Sequence, residues 1–372
     1  MKKIKLLVII VSIVMLSCHI TRKNEVKLGV ILPLTGELAP FGQKLKKGIL
    51  LAIKDFNNKN NNLTISLIIE DDKGENNNTI NAFNKITQIN NAEIVIGTLT
   101  SGGTLAIAPV AQKNKILLIS PTASSPKLSK IGKYFYRVWA SDNLDGVISA
   151  QYCFNSLKLK KIAVCYQNND YCIGLKNIFE TKFKSLGGLI VNTAGYDEGH
   201  YDFRTFIAKL KGSHCDGIYL PGHPIGISTF LKQAKQIDLS AKFISNVAVE
   251  DKDFITLAGS TSDSLIFTSP AFDITSQTAA VIAFEKSYRA AYNEEPDIFG
   301  VKGYEAADVI LRAVYNKKVS PKDIADYIHS TRIFKMIEGD LVFDINGDVT
   351  TAVSVKQYIN NKPSIIETIK PL

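Results

Sequence analysis

Apolar and polar positions follow two alternating patterns from residue 26 almost to the end of the chain. Short continuous apolar runs, such as 26–32, 93–96 and 115–119, predict buried strands. Between them lie stretches in which apolar residues recur every three or four positions, as in 105–111, and these predict helices. Because strands that alternate with helices favour βαβ units, the sequence predicts an α/β fold with parallel sheets.

Two such series follow each other along the chain. The first reaches residue 140, and the second begins with the strand predicted for 161–166. Each series is long enough for one doubly wound sheet, and 372 residues suit two domains better than one. After residue 270 come long helices and then short strands. No linker rich in Gly, Ser or Pro separates the halves, which favours several chain crossings between the domains.

Residues 1–18 have a pattern of their own. Three lysines precede the apolar run 6–16, which is shorter than the roughly 20 apolar residues of a membrane span, so a secretory signal peptide is predicted. Cys18 follows, and the segment resembles the lipobox of bacterial lipoproteins, although Met15 stands where Leu is usual. This resemblance implies lipidation at Cys18 and a membrane-anchored protein of the periplasm or outer cell surface. A secreted chain with an incidental cysteine is the alternative.

Composition and charge argue against several classes of protein. With 45% apolar and 21% charged residues, the chain has an ordinary globular composition. The net charge of +9 comes from lysines that are interleaved with acids, without a Lys-rich or Arg-rich run. This favours a solvated surface, and we expect no nucleic-acid partner.

The usual signatures of catalysis and cofactor binding do not occur in the sequence. It has no Gly-x-Ser-x-Gly, no Walker A motif and no Gly-x-Gly-x-x-Gly after the first strand. Its histidines and cysteines lack metal-ligand spacing, and Asp71–Asp72 is more typical of a solvated turn than of a magnesium site. We therefore expect no enzyme, cofactor or metal. An exported chain with these cysteines allows one or two disulfides; the spacing does not fix their connectivity, and Cys165 with Cys172 is the favoured pair.

The strongest candidate for a site lies where two predicted strands end. Residues 97–104 and 120–126 follow these strands and are rich in Ser, Thr and Gly. The carboxyl ends of parallel strands form the edge where ligands bind, and free backbone N–H groups at a helix start favour an anion. These two turns, called the cradle below, are predicted to bind a small anion, most simply a carboxylate.

Several short motifs follow one another along the chain in the order found in a known family. They are 32–36 with Phe41 and Gly42, 70–72, 96–97, 119–126, 170–171, 202–203, 257–259 and 303–306. Together they resemble the leucine/isoleucine/valine-type solute-binding proteins of ABC importers, over roughly 26–359. The resemblance implies a type I periplasmic-binding fold, with two doubly wound parallel-sheet lobes joined by a three-crossing hinge that closes on the ligand.

The implied N-terminal lobe comprises 24–141 and 271–350, and the C-terminal lobe 142–270 and 351–372. The resemblance also implies the ligand contacts, which on the first lobe are cradle residues that bind an α-carboxylate: Thr100, Ser101, Thr122, Ala123 and Ser124. Tyr171 is implied to close over the ligand from the second lobe. Phe41 and Tyr304 are implied to lie beside the ligand, with an ordinary core position as the alternative for both.

Two positions depart from the family's pattern. His223 replaces a second-lobe tyrosine and is expected to face an acidic or polar ligand group, and Val247 stands where an acid usually pairs with the ligand's ammonium. A buried ammonium without a carboxylate is costly. Either Glu250, Asp251 or Asp145 therefore takes that role, or the ligand is not an ordinary zwitterionic amino acid.

The expected function is an extracytoplasmic, lipid-anchored receptor for an amino acid of the branched-chain or hydrophobic type, or an analogue. It would deliver this small molecule to an ABC permease in the inner membrane. The alternative is a sensor of the same fold that binds an amide, urea or short peptide for signalling.

Overall fold

The computed structural model describes residues 24–59 and 63–369. The predicted signal peptide and Cys18 lie outside these residues. In the described part of the chain, no helix combines the length and apolarity that a membrane crossing requires.

The first sheet contains five parallel strands in the order β2-β1-β3-β4-β5. They are β1 (Asn24–Leu32), β2 (Leu63–Asp71), β3 (Ile94–Gly97), β4 (Leu117–Ser120) and β5 (Phe135–Arg137). Helices cover both faces, which is why the strands read as continuous apolar runs. Ile94 and Ile96 face one core and Val95 faces the other.

The second sheet contains seven strands in the order β15-β14-β10-β9-β8-β6-β7. They are β6 (Lys161–Gln167), β7 (Leu189–Tyr196), β8 (Gly217–Leu220), β9 (Lys242–Ser245), β10 (Ile266–Pro270), β14 (Val353–Ile359) and β15 (Lys362–Ile369). Strands β6 to β10 are parallel, whereas β14 pairs antiparallel with both β10 and β15. A third, antiparallel sheet joins β11 (Ile333–Met336), β12 (Gly339–Phe343) and β13 (Val349–Thr350).

Eleven α-helices are found in the described residues. They are α1 (Ala39–Lys59), α2 (Asn76–Asn84), α3 (Ser101–Asn114), α4 (Asp142–Gln151), α5 (Asp170–Ser185), α6 (Arg204–Ser213), α7 (Pro224–Gln236), α8 (Lys252–Ala258), α9 (Ala279–Tyr292), α10 (Ile298–Tyr315) and α11 (Pro321–Thr331). Helices α1 and α9 to α11 pack on one face of the first sheet, and α2 and α3 on the other. Helices α4 and α5 cover one face of the second sheet, and α6 to α8 the other.

Helices α1 and α10 touch backbone to backbone. A Cβ atom added to Gly303 would lie 2.1 Å from the Leu45 carbonyl oxygen, and one added to Gly48 would lie 2.0 Å from the Gly300 carbonyl oxygen. Only glycine permits this distance. The contact joins a helix from the start of the chain to one that follows both parallel series, so the late helices belong to the first lobe.

The chain passes between the two sheets three times. It leaves the first sheet after β5, returns after β10, and crosses again between β13 and β14. The second and third crossings are joined by the hydrogen bond from Ala271 N to Ala352 O, 3.0 Å long. The predicted fold class is confirmed. The lobe boundaries stay a prediction, and the strands of the two main sheets fall on the expected sides of them.

The predicted disulfide is wrong. The four cysteines within the described residues, Cys153, Cys165, Cys172 and Cys215, are free and buried. Burial raises the pKa of all four thiols. They therefore stay protonated and pack as small apolar groups in the second lobe.

Candidate functional site

A cavity of about 690 Å³ lies between the two sheets, at the edge where the parallel strands end. The first lobe contributes the cradle, and the second contributes the residues that follow β6, β8 and β9. Among the predicted site residues, those that line this cleft are Phe41, Thr100, Ser101, Thr122, Ser124, Tyr171, His223 and Val247. The structure therefore brings together residues that span more than 200 positions of the sequence.

The two turns of the cradle are bonded to each other. The Ser101 hydroxyl oxygen accepts hydrogen bonds from the backbone N–H groups of Ser124 (3.3 Å) and Ser125 (3.1 Å). The Thr122 hydroxyl donates to the Leu99 carbonyl (2.8 Å). These bonds hold the turns in one arrangement without a ligand.

The cradle retains donors for an anion. The Thr100 hydroxyl oxygen accepts from Gly103 N (3.1 Å) and so caps α3. The first N–H groups of a helix have no intrahelical acceptor, and Ser101 and Gly102, whose N–H groups are the first of α3, both line the cleft. In these bonds the hydroxyls of Thr100 and Ser101 only accept, so their protons remain available to donate. Such a set of donors at a helix N-terminus suits a carboxylate.

Aromatic side chains form one wall of the cleft, called the aromatic wall. The ring of Phe299 lies 4.6 Å from that of Phe41 and 5.9 Å from that of Trp139, measured between centroids. All three side chains are buried. Sequence reasoning missed Trp139 and Phe299; the position of Trp139 just after β5, at the ligand edge, was the available signal for the first. This wall suits an apolar ligand group.

The facing wall in the second lobe is polar but uncharged. Gln167 Oε1 accepts from the His223 backbone N–H (2.9 Å), and Asn246 Nδ2 donates to the Tyr171 hydroxyl (3.0 Å). Burial lowers the pKa of His223 to about 4, so its imidazole is neutral at physiological pH. Within residues 24–59 and 63–369, nothing pairs with its Nδ1.

The acids considered as ammonium partners lie elsewhere. Glu250 does not line the cleft, which corrects its predicted role, because its carboxylate pairs with Lys356 on β14. Asp251 pairs with Lys44 of α1. Asp145 lies beside Thr268, and burial raises its pKa to about 6.

Two further predicted site residues are placed outside the cleft. The Tyr304 hydroxyl donates to Asp55 (3.1 Å), and the side chain borders a separate groove between α1, α9 and α10. Ala123 lies in the core on the α2/α3 face of the first sheet, where its N–H donates to the Ser120 hydroxyl (2.9 Å). Tyr304 therefore takes the alternative position in the helix packing, and Ala123 serves the turn rather than the ligand.

The exposed part of the lining, called the mouth, carries the charged groups. These are Glu37, Lys73, Glu75, Asp170 and Glu198. Polar contacts join the lobes here: Tyr201 donates to Glu37 (2.9 Å), and Lys127 pairs with Asp170 (3.2 Å). The structure thus represents a closed arrangement of the lobes.

The pair Asp71–Asp72 shapes this mouth. Asp71 accepts from the Leu34 N–H (2.8 Å) and the Thr35 hydroxyl (2.6 Å), which holds the loop that leads to Glu37. Asp72 is buried and accepts from the Thr79 hydroxyl (3.0 Å) of α2. Across the described ranges, no cluster of His, Cys, Asp and Glu could hold a metal ion.

Two lobes, three crossings and a ligand-sized cleft define a hinged solute-binding protein. The periplasmic binding protein family model matches residues 25–361, and the chain belongs to this family. The predicted family is thereby confirmed, and the chain is a substrate-binding protein rather than an enzyme. Proteins of this kind work outside the cytoplasm.

Individual members of the family are similar to this chain over most of its length. The leucine-, isoleucine-, valine-, threonine- and alanine-binding protein of Pseudomonas aeruginosa is 25% identical over 331 residues, which cover 88% of this chain and 87% of that protein. The leucine-binding protein LivK of Thermotoga maritima is 27% identical with a TM-score of 0.87, covering 93% of this chain and 99% of that one. LivJ of Streptococcus pneumoniae, in complex with isoleucine, is 26% identical with a TM-score of 0.87, covering 94% and 100%.

A more distant neighbour has the same fold. A solute-binding protein of R. palustris, in complex with benzoate, is 20% identical with a TM-score of 0.85 and covers 94% of this chain and 97% of that one.

Proposed function

We propose that this protein is the lipid-anchored receptor of an ABC importer, and that it encloses a small carboxylate with an apolar body between its lobes. A branched-chain or other hydrophobic amino acid, or an analogue of one, belongs to this class. Binding makes and breaks no covalent bond, and hinge closure captures the solute for the permease. Lipid chains on Cys18 would keep the receptor close to that permease.

The observation that carries the proposal is the arrangement of the cleft. Donors of the cradle converge beside the aromatic wall, so one end of the cavity suits a carboxylate and the adjoining surface suits an apolar group. The isoleucine complex of LivJ and the names of the other relatives support this class of ligand.

A binding screen on the purified protein tests the ligand class. A ligand that binds only the folded state raises the melting temperature by mass action. We expect stabilisation by hydrophobic amino acids or their analogues and none by sugars or by the corresponding amides, which lack the carboxylate. Stabilisation by amides alone would contradict the proposal and favour the sensor.

Two cellular experiments test the remaining parts. Replacing Cys18 by Ser should abolish lipid labelling and release the protein from the membrane fraction, whereas labelling that persists would exclude Cys18 as the anchor. Deleting the gene should reduce uptake of the radiolabelled ligand if the protein serves import. Unchanged uptake with an altered transcriptional response would favour the sensory role.

A further inference from the structure

The buried end of the cleft carries no charged side chain. Its lining consists of the cradle hydroxyls, the aromatic wall, Gln167, Val247 and Ala248, which are all neutral and, apart from the half-buried Thr100, all buried. His223 and Tyr171 complete this part of the cleft and are neutral as well. A ligand that places its carboxylate in the cradle therefore places the neighbouring atoms in neutral surroundings.

The acids nearest to this region lie outside the lining of the cleft. Glu250 and Asp251 follow Ala248 along the chain, but they pair with Lys356 and Lys44. Asp142 is 1% exposed, its Oδ2 has no hydrogen-bond partner in the described residues, and it lies outside the lining. Burial raises the pKa of Asp142 well above the ordinary range of a carboxyl group.

Three of the four acids of the mouth have partners. Asp170 pairs with Lys127, Glu75 accepts from Asn78 (2.8 Å), and Glu37 accepts from Tyr201. Asp170 lies close to the cradle, since its Oδ2 would lie 3.3 Å from a Cβ atom added to Gly102. An α-ammonium, which is two bonds from its carboxylate carbon, would have to share Asp170 with Lys127.

The polar groups of the second lobe suit a different kind of ligand group. A neutral imidazole offers one N–H and one lone pair, and a ligand hydroxyl can donate or accept as either tautomer requires. Val247 and Ala248 beside it offer only apolar surface.

We propose that the ligand is a carboxylic acid without a charged amine, namely a hydroxy acid with an aliphatic or aromatic body. This inference rests on the proposed function and narrows its ligand class. Burying an unpaired ammonium is costly even after relaxation, so its absence from the ligand would be a strong source of selectivity.

Matched ligands test the inference directly. Leucine, 2-hydroxy-4-methylpentanoate and 4-methylpentanoate differ only at the α-position, and 4-hydroxybenzoate with benzoate forms an aromatic pair. Binding is followed by the fluorescence of Trp139, the single tryptophan of the chain, which lies in the aromatic wall. We expect the hydroxy acid of at least one series to bind at least about tenfold more tightly than leucine.

A substitution with a matched control tests whether the missing carboxylate causes this preference. Val247→Glu supplies the missing carboxylate and should shift the preference towards leucine by at least about tenfold, whereas Val247→Gln, of similar size but uncharged, should not. His223→Phe should reduce the affinity for the hydroxy acid to that for the corresponding acid without the hydroxyl.

The outcomes of these experiments distinguish failure of the hydroxy-acid inference from failure of the proposed function. Tighter binding of leucine than of every hydroxy acid by the unaltered protein would overturn this inference and leave the proposed function standing. Equal effects of Glu and Gln at position 247 would also overturn it. If neither amino acids nor carboxylic acids bind, the proposed function fails, and the inference fails with it.

Discussion

Removal of the amine of Lys44 should open the lobes and weaken ligand binding. Lys44 on α1 pairs with Asp251, which follows β9 of the second sheet, and with Asp297 of its own lobe (2.8 Å). Burial alone would lower the pKa of Lys44, but Asp297 and Asp251 outweigh it and raise the pKa, so the amine is charged. The bond to Asp251 joins the lobes only when they are closed.

The expected magnitude follows from the burial of this pair. The side chains of Lys44 and Asp251 are 17% and 2% exposed. Exposed pairs contribute about 0–1 kcal/mol, and loss of one partner of a fully buried pair costs about 3–5 kcal/mol. Opening lets Asp251 recover water, and the bond to Asp297 exists in both states. We therefore expect Lys44→Met to weaken binding by about 1–3 kcal/mol, which is roughly 5- to 150-fold in Kd.

Lys47 offers a matched control three residues along the same helix. It pairs with Glu294 within the first lobe, and the two side chains are 29% and 44% exposed. Kd is measured by Trp139 fluorescence with the tightest ligand of the panel above, and lobe opening by small-angle X-ray scattering. If Lys44→Met changes Kd no more than Lys47→Met does, the bond to Asp251 does not control closure and the reasoning is refuted.

Three further predictions concern the mouth, the cradle and the cysteines. Burial raises the pKa of Glu37 to about 7. The hydrogen bond from Tyr201 opposes this rise, and the charge of Glu198 adds to it. The closed state thus binds a proton that an open state, in which the pKa of Glu37 is near its ordinary value of 4.5, releases. Closure should therefore weaken as the pH rises from 5.5 to 8, and a Glu37→Gln protein with the same pH dependence of Kd would contradict this. The double substitution Ser101→Ala with Ser124→Ala should weaken binding by about 1–3 kcal/mol relative to Ser185→Ala on the surface of α5, because buried acceptors lose donors; an unchanged Kd would place the ligand elsewhere. The thiols of the mature chain should react with a thiol reagent only after unfolding, and reductant should leave the melting temperature unchanged; a lower melting temperature in reductant would reveal a disulfide.

The cradle was predictable because its position depends on local pattern. A buried strand followed by Ser, Thr and Gly residues identifies the ligand edge of a parallel sheet, and the structure places Thr100, Ser101, Thr122 and Ser124 there. The bonds that fix their hydroxyls were not predictable. The acceptor of Thr122 is a carbonyl 23 residues away, and only the folded sheet brings the two together.

The aromatic positions show a second limit of prediction from the sequence. The motif at residues 303–306 pointed to Tyr304, whereas Phe299 is the residue of α10 that reaches the cleft. Five residues correspond to about 140° around a helix, so these two side chains cannot face the same side. Glu250 failed for another reason, since its partner Lys356 is 106 residues away in the sequence and nothing local to Glu250 indicates it.

The mutual bonding of the two cradle turns has a consequence for turnover between rounds of transport. Because Ser101 accepts hydrogen bonds from Ser124 and Ser125 within one lobe, movement of the other lobe would leave the proposed anion site intact. Each incoming solute would then meet a pocket that needs no reassembly, so little conformational entropy opposes capture. Release to a permease would require only that the lobes part.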